Sequence, residues 1–177
     1  MIYRFLPDVD KWASVQVPKN LRVEINDFFE TANTKHWRKP SFVPDHSMGL
    51  LPDLIGVNTD APLFSTRAWR IISDFFPSET AYEADVKGAA ESYWFLPLKI
   101  LDLVDPEKAE LREIVPGVMT VERYAFRPEV AAAPPLFRVP ETQWRHMLAT
   151  EEFVNFIESS ELTGGGFKPV IMAETKA

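Results

Sequence analysis

The chain closes on a stretch that permits few structures. Glu151 to Ser159 carries Phe153, Val154, Phe156 and Ile157 on one helical face. Thr150 is placed to cap that helix, and Glu151 and Glu152 sit in its first turn, where the helix dipole favours negative charge. Ser160-Glu161-Leu162-Thr163-Gly164-Gly165-Gly166 follows, then the apolar run Phe167 to Met172. The glycines come after a helix, so they fit a C-terminal stop with positive φ. They lack the Gly-Lys-Ser/Thr of a phosphate-binding loop, and no phosphate cradle is implied. The expected ending is helix, tight stop and short strand.

With 177 residues, the rest of the chain is long enough for one domain with a sizeable core. Thirteen Phe and five Trp argue for an ordered core, because disordered chains are poor in aromatics. Fifteen Pro against seven Gly predict long connections stiffened by fixed φ. The lack of Cys excludes disulfides, thiolate metal sites and cysteine nucleophiles. No apolar run is long enough to span a membrane, and Met1 to Asp8 has no signal-peptide pattern, so a cytoplasmic location is expected.

Ile2 to Leu6 reads as a short strand closed by Pro7. Leu21, Val23 and Ile25 alternate as a short strand would, and Asp27 to Glu30 fits a helical turn. Residues 31–62, with Pro40, Pro44, Pro52 and Pro62, read as a long irregular loop or arm. Ser65 is placed to cap a helix over Thr66 to Phe76, with Ala68, Ile71, Ile72, Phe75 and Phe76 as its apolar face, stopped by Pro77. Ala81 to Val86 reads as a strand. Glu91 to Val104 gives the strongest strand signal, with both faces apolar and Pro97 marking a bulge, an edge or a break. Val118 to Phe126 and Leu136 to Val139 read as strands, and Thr142 to Ala149 as a helical turn or helix. The expected architecture is α+β: a single domain over 1–177, with a mixed or mainly antiparallel sheet of about five strands and two or more helices packed on it. Trp94, Ile72, Phe75, Phe153, Phe156 and Phe167 are expected in the core.

No constellation of catalytic groups stands out. His36 and His46, with Asp45 beside the second, match no zinc spacing, even with Asp53 or Asp60 added. His146, next to Arg145, reads as a partly exposed surface residue. No Gly-x-Ser-x-Gly elbow is present, and Ser65 is better used as a helix cap than as a nucleophile. Asp102 and Asp105 could be drawn as a carboxylate pair, but Asp105 with Pro106 reads as a turn start, and Asp102 as solvent-facing or paired with Lys99. Tyr93-Trp94-Phe95 has few basic neighbours and reads as core rather than a base-stacking platform. No catalytic residue, metal site or cofactor is expected.

Charge is unevenly spread. Residues 78–113 hold nine acidic and four basic side chains, which is −5 of the net −7. Such a surface repels nucleic-acid phosphates and attracts basic partners, although a merely solubilising face is the simpler reading.

The order of segments carries more than any one of them. Ala61-Pro62-Leu63-Phe64-Ser65-Thr66-Arg67-Ala68 enters a helix. Ser92-Tyr93-Trp94-Phe95-Leu96-Pro97-Leu98-Lys99-Ile100-Leu101 runs into Asp102-Leu103-Val104-Asp105. Leu136-Phe137-Arg138-Val139 and Glu161-Leu162-Thr163-Gly164 with Phe167-Lys168-Pro169-Val170 follow. This series resembles a family of bacterial immunity proteins from polymorphic toxin systems, the Myxococcus-type immunity domain. The resemblance covers roughly residues 55–171; residues 1–54, a strand and an irregular arm, lie outside it. It implies a protein that binds a cognate toxin and blocks it by stoichiometric complex formation. The toxin would be basic, with acidic charge steering the encounter. No nucleic-acid or membrane partner is implied, and homo-oligomerisation is left open. The candidate partner-binding residues are Glu79, Glu83, Asp85, Asp105, Glu107, Glu110 and Glu113. A non-catalytic binding or regulatory module with a small aromatic-lined pocket is the alternative reading.

Overall fold

The computed structural model describes residues 1–6, 11–16, 39–44, 50–57, 62–77, 81–142 and 146–174. The chain divides into two compact units. One holds residues 1–5, 99–156 and 167–177; the other holds 6–98 and 157–166.

The second unit is built on six short strands: β2 (Val15–Gln16), β3 (Ser41–Pro44), β4 (Leu54–Gly56), β5 (Pro62–Ser65), β6 (Tyr82–Val86) and β7 (Tyr93–Phe95). They lie in the order β2-β3-β6-β7-β5-β4. All neighbours are antiparallel except β3 and β6, so the sheet is mixed. A parallel bridge from Val15 to Val57, one residue beyond β4, joins the two ends of the order. The sheet is therefore nearly closed on itself, which removes edges that would otherwise pair with other chains. Alternation selects the core. Phe42, Ala84, Val86, Tyr93, Phe95, Leu63, Ile55 and Val15 form one buried cluster. Trp94, between Tyr93 and Phe95, points to the other face and stacks on Trp69 at 6.2 Å. Trp69 belongs to the helix α1 (Thr66–Ile72), and also meets Phe64 and Phe76.

Ser65 caps α1 as its position suggests: its Oγ accepts from the Ala68 backbone N–H at 3.0 Å. The helix is shorter than expected, and Ser73–Phe75 tightens into a 3-10 turn. Ala68, Ile72 and Phe76 are buried, but Ile71 is exposed and Phe75 half-buried, so the apolar face is narrower than the periodicity implies. Residues 31–62 are also more regular than their prolines suggest, since their described parts contain β3, β4 and the first residue of β5. Expectations on Leu21–Ile25 and Asp27–Glu30 lie outside the described residues.

The first unit contains a four-stranded antiparallel sheet, β10-β11-β1-β12, from Ile2–Phe5 (β1), Leu136–Phe137 (β10), Leu148–Thr150 (β11) and Phe167–Pro169 (β12). A separate hairpin pairs β8 (Glu110–Val115) with β9 (Val118–Arg123). The core gathers Val104, Val121, Tyr124, Phe137, Val139 and Leu148. The helix α2 (Glu151–Ser159) starts directly after β11. Its Phe153 is fully buried and meets Phe167 edge-on at 6.3 Å, while Phe167 meets Phe5 at 5.4 Å. Phe156 and Phe167 are only half-buried, as is Trp94.

Three expectations change. Among the described residues, twelve strands in three sheets replace a sheet of about five. Of Thr142 to Ala149, Thr142 ends the 3-10 turn Pro140–Thr142, residues 146–147 are irregular, and Leu148 opens β11, where β1 and β10 supply the hydrogen bonds. Thr150 ends that strand and directly precedes α2, the position expected of its cap. The dense apolar run 91–104 yields only the strand Tyr93–Phe95, because Pro97 breaks it. Beyond Pro97, Ile100 and Val104 make isolated bridges.

The helix stop also differs. Helix α2 ends at Ser159, and the left-handed residue after it is Glu161 (φ 56°), not a glycine. Gly164 (φ 88°) serves a close approach instead. A Cβ there would lie 2.3 Å from the Leu54 carbonyl oxygen and 2.4 Å from Pro52 Cβ. Gly164→Ala is therefore expected to cost at least about 3 kcal/mol, since it adds a backbone clash to left-handed strain. Urea unfolding measures this, and a loss below about 1 kcal/mol would contradict the packing. By the same physics, Phe153→Ala should cost about 3–5 kcal/mol and Phe156→Ala clearly less, because only the first leaves a sealed cavity.

Candidate functional site

Three places collect polar or reactive side chains. The first surrounds Asp53, which is buried next to β4. Its Oδ1 accepts from Ser65 Oγ at 2.7 Å. Its Oδ2 accepts from the Thr163 backbone N–H and from Thr163 Oγ, both at 3.0 Å, and from Arg67 Nη1 at 3.3 Å. Ser65 Oγ thus donates to Asp53 and accepts from α1. The hydroxyl is spent on structure. Nearby, Tyr93 donates to the Pro52 carbonyl at 2.8 Å, and burial, with the Asp53 charge adding to it, pushes its hydroxyl up to about 12. An open groove of about 500 Å³ lies in the same unit, lined by Ala13, Leu50, Leu51, Ser65, the segment 88–92 and Tyr93. Small side chains make most of it, and Tyr93 is its aromatic.

The second place is in the first unit. His146, expected at the surface, is buried, and its Nδ1 lies 3.0 Å from the Tyr124 hydroxyl. The ring packs inward because it lies two residues before β11, where the chain enters the sheet. Burial raises the Tyr124 hydroxyl to about 12, with Arg4 opposing and Glu141 reinforcing the shift. Arg138, directly after β10 and bridged to Ile100, is buried as well. Glu141 has an interior Oε2 without a hydrogen-bond partner. Its carboxyl is held above the usual 4.5, first by burial and then by Asp102, against its own backbone N–H and Arg127. His36 and His46 lie outside the described residues. Asp102 and Asp105 do not form a joint carboxylate site. Asp102 is exposed and binds Arg127 at 2.8 Å, not Lys99. Asp105 opens a turn, accepting from the Glu107 backbone N–H at 3.1 Å, and binds Lys108 at 2.8 Å, which with Glu107 N–H lowers its carboxyl.

The third place is the hairpin β8–β9. Val115-Pro116-Gly117-Val118 makes its turn, with Pro fixing φ and Gly117 at φ 79°. The Glu113 carboxylate accepts from the Gly117 N–H at 2.7 Å. Every residue of β8 is exposed, including Leu111 (38%), Ile114 (51%) and Val115 (53%). Large apolar residues held in water on a strand are costly to leave uncovered. The signal was present in the sequence as Leu111 and Ile114 among acidic residues, but nothing local shows that neither face is covered.

The hairpin holds Glu110 and Glu113, and the turn before it holds Asp105 and Glu107. Glu83 and Asp85 are on β6 in the other unit, both bound to Lys39 at 3.1 and 2.7 Å. Glu79 lies outside the described residues. Among the described residues no group of three His, Asp or Glu side chains is arranged for a metal, and no helix is long and apolar enough to cross a membrane. No protein-family model matches this chain, and no curated protein matches it.

Glu141 gives a pH test. Its raised folded pKa means that burial favours the protonated form. That favourable state is fully present below the unfolded value near 4.5 and is lost as pH rises through the folded value. Glu141→Gln should therefore raise the Tm at pH 7, with the advantage shrinking to nothing as pH falls below 4.5. Parallel thermal melts of both proteins check this, and an advantage that does not change with pH would contradict it.

Proposed function

We propose that this protein neutralises a cognate bacterial toxin by stoichiometric binding, with the hairpin β8–β9 and its preceding turn forming part of the contact surface. The observation that carries the reading is the exposed strand β8, where Leu111, Ile114 and Val115 stand in water among Glu107, Glu110 and Glu113. An apolar centre with charged neighbours is the usual anatomy of a protein interface. The segment order that resembles polymorphic-toxin immunity proteins supplies the class of partner. The polar side chains described above also support binding: Ser65, Asp53 and His146 hold the fold together by hydrogen bonds.

Acidic side chains at such a surface act mainly on the association rate with a basic partner. Glutamine substitutions at Glu107, Glu110 and Glu113 remove charge yet leave an acceptor for the Gly117 N–H. Where a neighbouring gene encodes a protein whose C-terminal domain alone arrests growth, co-expression of this chain with that domain should restore growth. The triple variant should associate with that domain several-fold more slowly at low salt, with the difference fading at high salt. An association rate unchanged at low ionic strength, measured by stopped flow, would remove the hairpin from the interface. Failure of the wild-type chain to protect would reject the toxin reading itself.

A further inference from the structure

Among the described residues, β8 pairs only with β9, so its other edge presents unpaired backbone N–H and C=O groups. Sheet edges in soluble proteins are commonly blocked by charge. Here the charges do the opposite for one partner. We propose that a second copy of this chain adds antiparallel to β8, joining two hairpins into a four-stranded sheet centred on Leu111. This goes beyond the toxin-binding reading and does not depend on it.

The register follows from geometry. In an edge-to-edge pair related by a twofold axis along the sheet normal, residues opposite each other point to the same face. Side chains alternate along a strand, so only residues of equal parity can face each other, and the axis passes through one residue and its copy. Strand β8 is continuous over Glu110–Glu113; the irregularity near Glu110 places an extra residue on β9, and the one after Glu113 places it on β8. Within that stretch the choices are few. An axis through Glu110 or Glu113 opposes two carboxylates, and one through Arg112 opposes two guanidiniums. An axis through Leu111 sets Leu111 against Leu111 of the second copy, and Glu110 against Arg112 twice. Opposite charges and apolar pairs directly across strands are favourable, and like charges are not.

The side chains are available for this. Leu111 is 38% exposed, and Glu110 and Arg112 are more exposed still, reaching Arg123 at 3.3 Å and Glu122 at 2.9 Å within their own hairpin. Those contacts put Arg123 and Glu122 beside the new pairs, extending an alternating set of charges. Within β8 this register pairs only Glu110, Leu111 and Arg112 of each copy, which bury far less than the roughly 1,200–2,000 Å² of a standard interface, so the dimer should be weak. Dimerisation would also place Glu107 and Glu113 of both copies on one assembly.

Sedimentation velocity on the full chain over about 0.01–1 mM should show a concentration-dependent shift from monomer to dimer. In hydrogen exchange on the wild type, β8 amides should gain protection across the same range. Leu111→Lys leaves the internal ion pairs in place but opposes two ammonium groups at the axis, and should be monomeric. Glu110→Arg should also be monomeric, and exchanging all four charges (Glu110→Arg, Arg112→Glu, Glu122→Arg and Arg123→Glu) should dimerise again, because it restores both pairs across the axis and both pairs within each hairpin. A wild-type chain that stays monomeric to 1 mM overturns the proposal. So does a dimer that Leu111→Lys leaves intact, a dimer without β8 protection, or an exchanged variant that is folded by circular dichroism yet monomeric.

Discussion

The Asp53 carboxylate governs how one of the two units is assembled. Burying a charge is costly unless donors replace its hydration. Asp53 receives four such hydrogen bonds, from Ser65, Arg67 and twice from Thr163. Thr163 is 110 residues from Asp53 and Ser65 only 12, and each has a structural task. Ser65 ends β5 and caps α1. Thr163 donates through N–H and Oγ, while its own Oγ and carbonyl accept from the backbone of Asp53 and Leu54. The segment at 163–164 is thereby tied to β4, and the absent side chain of Gly164 lets the two backbones meet. Removing Asp53 would leave the Ser65 and Thr163 donors without their acceptor, so the lost bonds would not act independently.

The two units handle their strand edges differently. In the second, the bridge between Val15 and Val57 links the ends of the six-stranded order. In the first, β9 continues its contacts through Tyr124, whose N–H and C=O bond Ile171 and Ala173, while β8 stays open. An open edge, three exposed apolar side chains and a turn closed by Glu113 lie together on this hairpin.

What the sequence made legible follows the range of the forces. Ser65 as a cap, the strand from 82 to 86, the hairpin strand from 118 and the last strand from 167 are set by local pattern, and the structure contains all four. The misread elements depend on distant partners. Leu148–Thr150 looks helical because three residues are too few for alternation to register, yet β1 and β10 pair with it from both sides. The Glu91–Val104 run reads as one long strand because apolar residues fill both parities, while Pro97 and the change of unit at Lys99 divide it. His146 looks exposed beside Arg145, but the Tyr124 hydroxyl that holds it is 22 residues away. For the candidate site, the acidic residues were visible in the composition, whereas the exposure of Leu111, Ile114 and Val115 is a property of the sheets that do not cover them.

The formal charge of residues 78–113 overstates the field a partner would meet. Glu83 and Asp85 share Lys39, Asp105 is paired with Lys108, Asp102 with Arg127 and Glu110 with Arg123. Pairs at contact distance act beyond a few ångströms as dipoles, and salt screens them further. The steering power of this region therefore rests on fewer charges than its composition suggests, while its apolar side chains are unaffected by screening. Binding through β8 should accordingly lose speed with salt yet keep much of its affinity, since dissociation depends on Leu111, Ile114 and Val115 leaving a desolvated contact.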